Sequence, residues 1–232
     1  MNCIAVIPAR EGSKRIKDKN IYQILGKPAI SYAISTAFKS GLFSEVFVST
    51  DSLKIASIAK SFGATVGKLR DANLSDDHST TIKVISGFIN SELNSENYPD
   101  FICCIYPVTP LLTPNRLQEG YSLVTQNPSN FIFAAVPAIS PPERIFRLSD
   151  DLKPIIGTTN QLEIRTQDLA QQFYDAGQFY WGATSLWLNQ DSIIGSDCKV
   201  LKLERHEVFD VDEIEDINLI EIILESKKIR DI

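Results

Sequence analysis

Short apolar runs alternate with helix-patterned segments along most of this chain, and that alternation constrains the fold more than any other feature. Cys3 to Ile7 reads as a buried strand. A helix is expected from Ala29 to Lys39 after Pro28, a strand from Glu45 to Ser49, and a helix from Leu53 to Phe62 that stops at Gly63. Ala64 to Val66 reads as a third short strand and Thr80 to Leu93 as a helix. Phe101 to Ile105 is strongly strand-like, Pro114 to Thr125 is a helix opened by proline, and Phe131 to Val136 is another strand. Strands that are apolar throughout, separated by helices, predict an α/β fold: a doubly wound, mostly parallel sheet covered on both faces.

The rhythm breaks at Pro137. Residues 137–172 hold clustered prolines, isolated charges and little periodicity. They read as an excursion within a single 1–232 domain, because a segment of that size cannot hold a core alone. Strand signals return at Gly177 to Trp181, Val200 to Leu203 and Glu207 to Phe209, and a closing helix is expected from Ile214 to Ser226. Neither internal repeats nor low-complexity tracts occur.

The chain carries a formal net charge of −6, yet the loop PAREGSKRIKDKN, Pro8 to Asn20, concentrates the cations Arg10, Lys14, Arg15, Lys17 and Lys19. Mild overall acidity excludes general nucleic-acid or membrane-surface binding, which needs a broad basic face. A local positive patch suggests a small anionic ligand instead. The loop leaves the first strand at its carboxyl end, where open α/β sheets bind ligands. Gly12 and Ser13 permit backbone amides to turn toward an anion, and Arg10 and Lys19 supply charge. This chemistry suits a triphosphate, although neither a Walker A loop nor a dinucleotide fingerprint is present. A solvated basic turn is the plainer alternative.

Asp210-Val-Asp212 places two carboxylates on one side of an extended segment, which suits a hard divalent cation such as Mg²⁺. Asp212 equally suits an N-cap for the closing helix. Tyr106-Pro107-Val108-Thr109-Pro110 makes a rigid turn at a strand end, a good place for substrate contacts. The stretch YDAGQFYWG mixes polar groups with large aromatics; it reads either as the wall of a sugar pocket or as a core strand with amphipathic ends. Cys3, Cys103, Cys104 and Cys198 have neither zinc nor disulfide spacing, so reduced core cysteines and a cytoplasmic location are expected. No signal peptide is visible and no apolar run approaches the roughly 20 residues a bilayer requires, so no membrane partner is expected.

Several blocks occur in order over nearly the whole chain: IPAREGSKRIKDKNI, GKPAI, VFVSTD, LSDDHSTTIKVI, CCIYPVTPLL, RTQDL, YDAGQFYWG and VFDVDEIED. Together they resemble the cytidylyltransferases that activate eight- and nine-carbon ulosonic acids, closest to the pseudaminic acid branch. The resemblance implies a Rossmann-like nucleotidyltransferase that transfers CMP from CTP to a free ulosonic acid and releases pyrophosphate. It implies a homodimer in which residues 137–172 pack against the second subunit. Ala9, Arg10, Gly12, Ser13, Lys19 and Asn20 would bind the nucleotide phosphates, and Arg70 and Ser79 would read cytosine. Tyr106, Thr109, Arg165, Gln167, Asp175, Gln178 and Tyr180 would face the sugar. Arg165 suits its carboxylate, which a guanidinium grips with two parallel hydrogen bonds. Asp210 and Asp212 would hold Mg²⁺ or Mn²⁺. Arg10, Lys19 and Asp212 would then carry catalysis by positioning and charge neutralisation. His78 reads as a polar loop residue and His206 as structural, and no residue announces itself as the general base.

Two departures from the family pattern stand out. Glu11 occupies the place of a usual glycine and is expected to point outward, since an inward carboxylate would oppose a polyanion. Tyr106 stands where sialic acid enzymes commonly carry glutamine, which implies a less hydroxylated or more apolar sugar. The rival readings are a cytidylyltransferase for sialic, legionaminic or deoxy-octulosonic acid, a guanylyltransferase acting on molybdopterin, and an inactive nucleotide-binding regulatory protein.

Overall fold

The apolar runs assemble into one six-stranded sheet in a computed structural model that describes residues 1–155, 164–195 and 197–230. The strands are β1 (Cys3–Pro8), β2 (Glu45–Ser49), β3 (Phe101–Ile105), β4 (Ile132–Pro137), β5 (Phe173–Ala183) and β6 (Lys199–Lys202), in the spatial order β6-β4-β5-β3-β1-β2. β1 pairs in parallel with both β2 and β3, and β6 pairs in parallel with β4. β5 alone runs antiparallel, between β3 and β4. The helices are α1 (Ala29–Ser40), α2 (Leu53–Ser61), α3 (Thr81–Glu92), α4 (Pro114–Gln126), α5 (Thr184–Asn189) and α6 (Ile214–Arg230).

Alternation along each strand divides the core between the two faces. Ala5, Ile7, Val46, Val48, Cys103 and Ile105 pack with α1, α2 and α4. Ile4, Val6, Phe47, Ile102 and Cys104 pack on the other side with α3 and with Trp187 of α5. The adjacent thiols Cys103 and Cys104 therefore face opposite layers, both fully buried, and burial pushes both thiols far above the ordinary range.

A third, smaller cluster positions the site. Ile16, the apolar residue inside the basic loop, is 1% exposed and packs with Ile24, Ala29, Val211, Ile217 and Ile220. The loop is thus pinned to α6 and to the segment before it. The turn at Leu25 and Gly26, both with positive φ, is held to α6 by the Leu25 amide, which donates to Glu221 Oε1 at 2.7 Å. Asn20 Nδ2 donates to the Arg10 carbonyl at 2.7 Å and closes the loop on itself.

Three expectations need correction. Ala64 to Val66 forms only a single parallel bridge, Phe47 to Thr65, not a strand. Glu207 to Phe209 is not extended in a sheet. Arg205–Glu207 is a 3-10 turn, because the Glu207 side chain returns to the Glu204 amide at 2.8 Å in a capping box. The strand at Gly177 to Trp181 extends to Phe173–Ala183 and reverses direction, since it enters from the excursion and not through a crossover helix. Gly177, at φ 58°, sits where β5 loses register with β4 between Phe133 and Ala135.

The excursion leaves at Pro137 and returns beside it, with the Ala138 amide donating to the Gln172 carbonyl at 2.9 Å. It carries a short hairpin, Arg147–Leu148 with Pro154–Ile155. Residues 156–163 lie outside the described residues. Ile139, Ile145, Phe146, Leu148, Leu152 and Ile155 are all exposed along it.

Candidate active site

A cavity of about 660 Å³ opens where the chain leaves β1 and β3. One wall is the basic loop: Arg10, Gly12, Ser13, Lys14, Arg15, Lys19 and Asn20 line it. A second wall comes from the segment before α3, with Arg70, Leu74, Asp76, Asp77 and Ser79. Tyr106, Pro107 and Val108 follow β3, and Gly177 and Asp210 complete the rim. The basic loop and Asp210, from opposite ends of the chain, therefore share one cavity, while Asp212 is not among its lining residues.

The loop is built to present its cations. The Ala9 amide donates to the Ser49 carbonyl at 2.9 Å, extending the β1–β2 ladder by one residue before the chain turns. Ala9 itself is fully buried and does not line the cavity. Glu11 is exposed and outside the lining, with its amide donating to Asp51 Oδ1 at 2.9 Å. A side chain at this position is accommodated without entering the cavity lining.

Arg10 Nη1 lies 2.6 Å from Asp77 Oδ1, and Lys14 also reaches the Asp77 carboxylate. Hydrogen bonds from Lys14 and then Arg10 hold the Asp77 carboxyl below the usual range. Asp76, its neighbour, serves the loop instead. Its Oδ1 accepts from the Ser79 amide and hydroxyl, each at 2.7 Å, and from the His78 amide at 3.0 Å. Arg70 donates from Nε to Ser75 Oγ at 3.2 Å and from Nη1 to the Ser49 carbonyl at 3.4 Å. Burial lowers the pKa of its guanidinium, with Asp51 opposing and Arg10 adding to the effect.

On the β3 side, the hydroxyls of Tyr106 and Thr81 are 2.8 Å apart, and the Tyr106 amide donates to the Gln178 carbonyl at 2.8 Å. The Tyr106 ring packs against Tyr180 with centroids 5.2 Å apart. Tyr180 donates its hydroxyl to Asp175 Oδ2 at 2.5 Å; burial, foremost, pushes its pKa far up. Thr109, Gln178 and Tyr180 are buried, and none of them nor Asp175 lines the cavity. Thr109 Oγ1 donates to the Tyr106 carbonyl at 3.1 Å, and Gln178 Nε2 to the Glu207 carbonyl at 2.8 Å. These residues support Tyr106 and the segment before Asp210 from behind. Arg165 and Gln167 are exposed on the excursion and lie outside the cavity of this chain.

Asp210 and Asp212 flank Val211, which is 1% exposed, so the buried valine turns both carboxylates away from the α6 core. The capping alternative for Asp212 is not realised. Asp216 Oδ2 instead accepts from the Asp212 and Glu213 amides, each at 2.7 Å. The Asp212 carboxylate is left for Arg15 Nη2 at 2.5 Å and Lys19 Nζ at 4.0 Å. Its Oδ1 atom is enclosed yet accepts no well-aligned hydrogen bond. An enclosed carboxylate oxygen beside an exposed second carboxylate is a hard-oxygen donor pair, and it fits Mg²⁺. Among the described residues no group of three or more His, Cys, Asp or Glu side chains converges. The remaining ligands of such an ion would come from phosphate and water.

Sequence reasoning missed Asp77, Thr81 and the Arg116–Glu207 pair. Asp77 sat in plain view in LSDDHS, but nothing local marks which of two adjacent aspartates faces a loop far away in the chain. Arg116, on α4, bonds both carboxylate oxygens of Glu207 at 2.9 and 2.8 Å.

A mostly parallel sheet with a cationic loop after its first strand and a carboxylate segment seated against that loop is the architecture of an α/β nucleotidyltransferase. A solved CMP:2-keto-3-deoxy-manno-octonic acid synthetase complexed with CTP superposes with a TM-score of 0.73 at 15% identity, over 98% of this chain and all of that one. The Cytidylyltransferase family model matches residues 4–229, and the chain belongs to that family. The pseudaminic acid cytidylyltransferase of Campylobacter jejuni serotype O:2 is 38% identical over 223 residues, covering 96% of each chain. A Helicobacter pylori protein is 33% identical over 213 residues, 91% of this chain and 40% of its own length; it is named pseudaminic acid cytidylyltransferase and UDP-2,4-diacetamido-2,4,6-trideoxy-beta-L-altropyranose hydrolase.

Proposed function

We propose that this cytidylyltransferase transfers CMP from CTP to free pseudaminic acid, a nine-carbon ulosonic acid, releasing pyrophosphate. One observation carries the reading: Arg10, Ser13 and Lys19 share a cavity with Asp210, Arg70 and Ser79. Cations for phosphates, polar groups for a base and a carboxylate for a metal converge on one space. The named relatives support the choice of sugar.

In this reading the anomeric hydroxyl attacks the α-phosphorus, and the bond to the β-phosphate breaks. Crowded negative charge repels the incoming oxygen, so the cations of the loop act by neutralisation and by fixing the triphosphate in line. Arg70 and Ser79 are suited to the cytosine edge. Asp210 and Asp212 would hold Mg²⁺ or Mn²⁺. Such an ion supplies Lewis-acid stabilisation of the α-phosphate and leaving group. Tyr106 offers the sugar an apolar ring whose hydroxyl is already engaged by Thr81, in keeping with a less hydroxylated substrate.

Arg165 and Gln167 enter the reading through a homodimer. They stand on an excursion studded with exposed isoleucine, leucine and phenylalanine side chains, a surface of the kind that marks association. Residues 137–172 are thus proposed as the dimerisation element of a single 1–232 domain, carrying Arg165 toward the partner's sugar. No helix of the described residues is long and apolar enough to cross a membrane. Free cysteines, three of them buried, fit a cytoplasmic enzyme.

The test is a panel of free pseudaminic, sialic, legionaminic and deoxy-octulosonic acids with CTP and Mg²⁺, read as pyrophosphate release. Pseudaminic acid is expected to give the highest kcat/KM. Preference for another acid would refute the sugar assignment, and no release from any would refute the activity.

A further inference from the structure

The cations assigned to the triphosphate are not idle. Arg10 and Lys14 are both engaged by one carboxylate, that of Asp77, which itself lines the cavity. Asp77 belongs to the segment that carries Ser79, not to the basic loop. Its neighbour Asp76 holds that segment's own turn through the Ser79 amide and hydroxyl. Asp77 does none of this work; among the described residues its side chain meets only the two cations.

We propose that Asp77 is an internal counter-ion that occupies the phosphate site and must be displaced by the triphosphate of CTP. Two neighbouring cations repel, and an anion between them keeps them close and oriented. A single carboxylate does this with one charge. A triphosphate brings several charges and many acceptor oxygens, so it wins the exchange. A monoanion replaces like with like and gains little. Asp77 therefore sets a threshold that favours polyphosphates over the abundant small anions of solution. The inference rests on reading the basic loop as the triphosphate clamp.

The experiment measures equilibrium binding of inorganic tripolyphosphate and, separately, of cytidine to the full chain, by calorimetry. Asp77→Asn is expected to bind tripolyphosphate about two- to tenfold more tightly, the range for losing two part-exposed ion pairs. Cytidine affinity should stay within about twofold, since it does not reach Arg10 and Lys14. Asp77→Ser, a second variant lacking the charge, should match Asp77→Asn. Glu96→Gln, which removes an acid near the opposite end of β3, should leave tripolyphosphate affinity unchanged. Unchanged or weaker tripolyphosphate binding in both Asp77 variants overturns the proposal. So does an equal shift for cytidine, which would make Asp77 a support of the loop, or equal tightening in Glu96→Gln, which would make the effect one of net charge. Failure of the unaltered chain to bind tripolyphosphate would overturn the clamp itself, whatever the variants do.

Discussion

Glu207→Gln isolates the contact that holds the Asp210–Asp212 segment against the body of the sheet. In the native chain Glu207 receives Arg116 Nε at 2.9 Å and Nη2 at 2.8 Å, and the Glu204 amide at 2.8 Å. Its carbonyl accepts from Gln178 Nε2 at 2.8 Å. One residue thus joins α4, β5 and the chain leading to Asp210. Glu207 is 14% and Arg116 25% exposed at the side chain. The pair is shielded more than a surface ion pair, but water reaches both partners. Glutamine keeps the shape and one acceptor, so the loss is about 2 kcal/mol, within the range for hydrogen bonds to charged groups. For a chain of this size that lowers Tm by about 4–8 °C. The pH dependence has a definite sign. The hydrogen bonds from Arg116, foremost, hold the Glu207 carboxyl below its ordinary value of 4.5. The folded carboxyl is thus the stronger acid, and its contribution is complete above that ordinary value. It is lost as pH falls through the lowered one. Thermal scans should show the full gap between the native chain and Glu207→Gln at pH 7, narrowing only at pH values below 4.5. A Tm within about 1 °C of native at pH 7, or a gap that persists undiminished in acid, would refute the reasoning.

Three further outcomes are expected. Asp212→Ala should reduce turnover by more than about a hundredfold, the scale of a lost metal-phosphate contact, without lowering Tm appreciably; near-normal turnover would remove Asp212 from the reaction. Arg165→Ala should raise the KM of the sugar at least about tenfold and leave that of CTP nearly unchanged; the reverse pattern would assign Arg165 to the nucleotide. Gly87→Ala tests how α3 sets the wall near Arg70 and Ser79. An added Cβ would lie 2.6 Å from Leu74 Cδ1, and Leu74 lines the cavity. Alanine gains about 1 kcal/mol of helix propensity, so the chain should stay folded while Leu74 is pushed aside and the KM of CTP rises. A raised Tm with an unaltered KM would show that Leu74 does not shape the site.

Much of the layered fold was legible because it depends on local periodicity. Apolar runs bounded by turn residues became β1, β2, β3, β4 and β6, and each intervening amphipathic stretch became a helix with its apolar side on the sheet. The short strand expected at Ala64 to Val66 shrank to one bridge, for it has β2 alone as a neighbour. Glu207 to Phe209 looked like strand by residue type, but the side chain of Glu207 supplies hydrogen bonds that hold a turn there. Gln178 read as a sugar contact among aromatics; its amide is directed to the Glu207 carbonyl.

By itself the sequence determined the charge of the loop after the first strand, the alternation that sends Val211 inward and two aspartates outward, and the layering of the sheet. These are matters of neighbours along the chain, where backbone geometry alone relates one side chain to the next. The antiparallel insertion of β5, the seating of Asp77 on Arg10 and Lys14, and the bracket from Arg116 to Glu207 were decided only by the tertiary structure. Each depends on residues far apart in sequence meeting in space, and pairing and Coulomb attraction act on that distance, not on the distance along the chain.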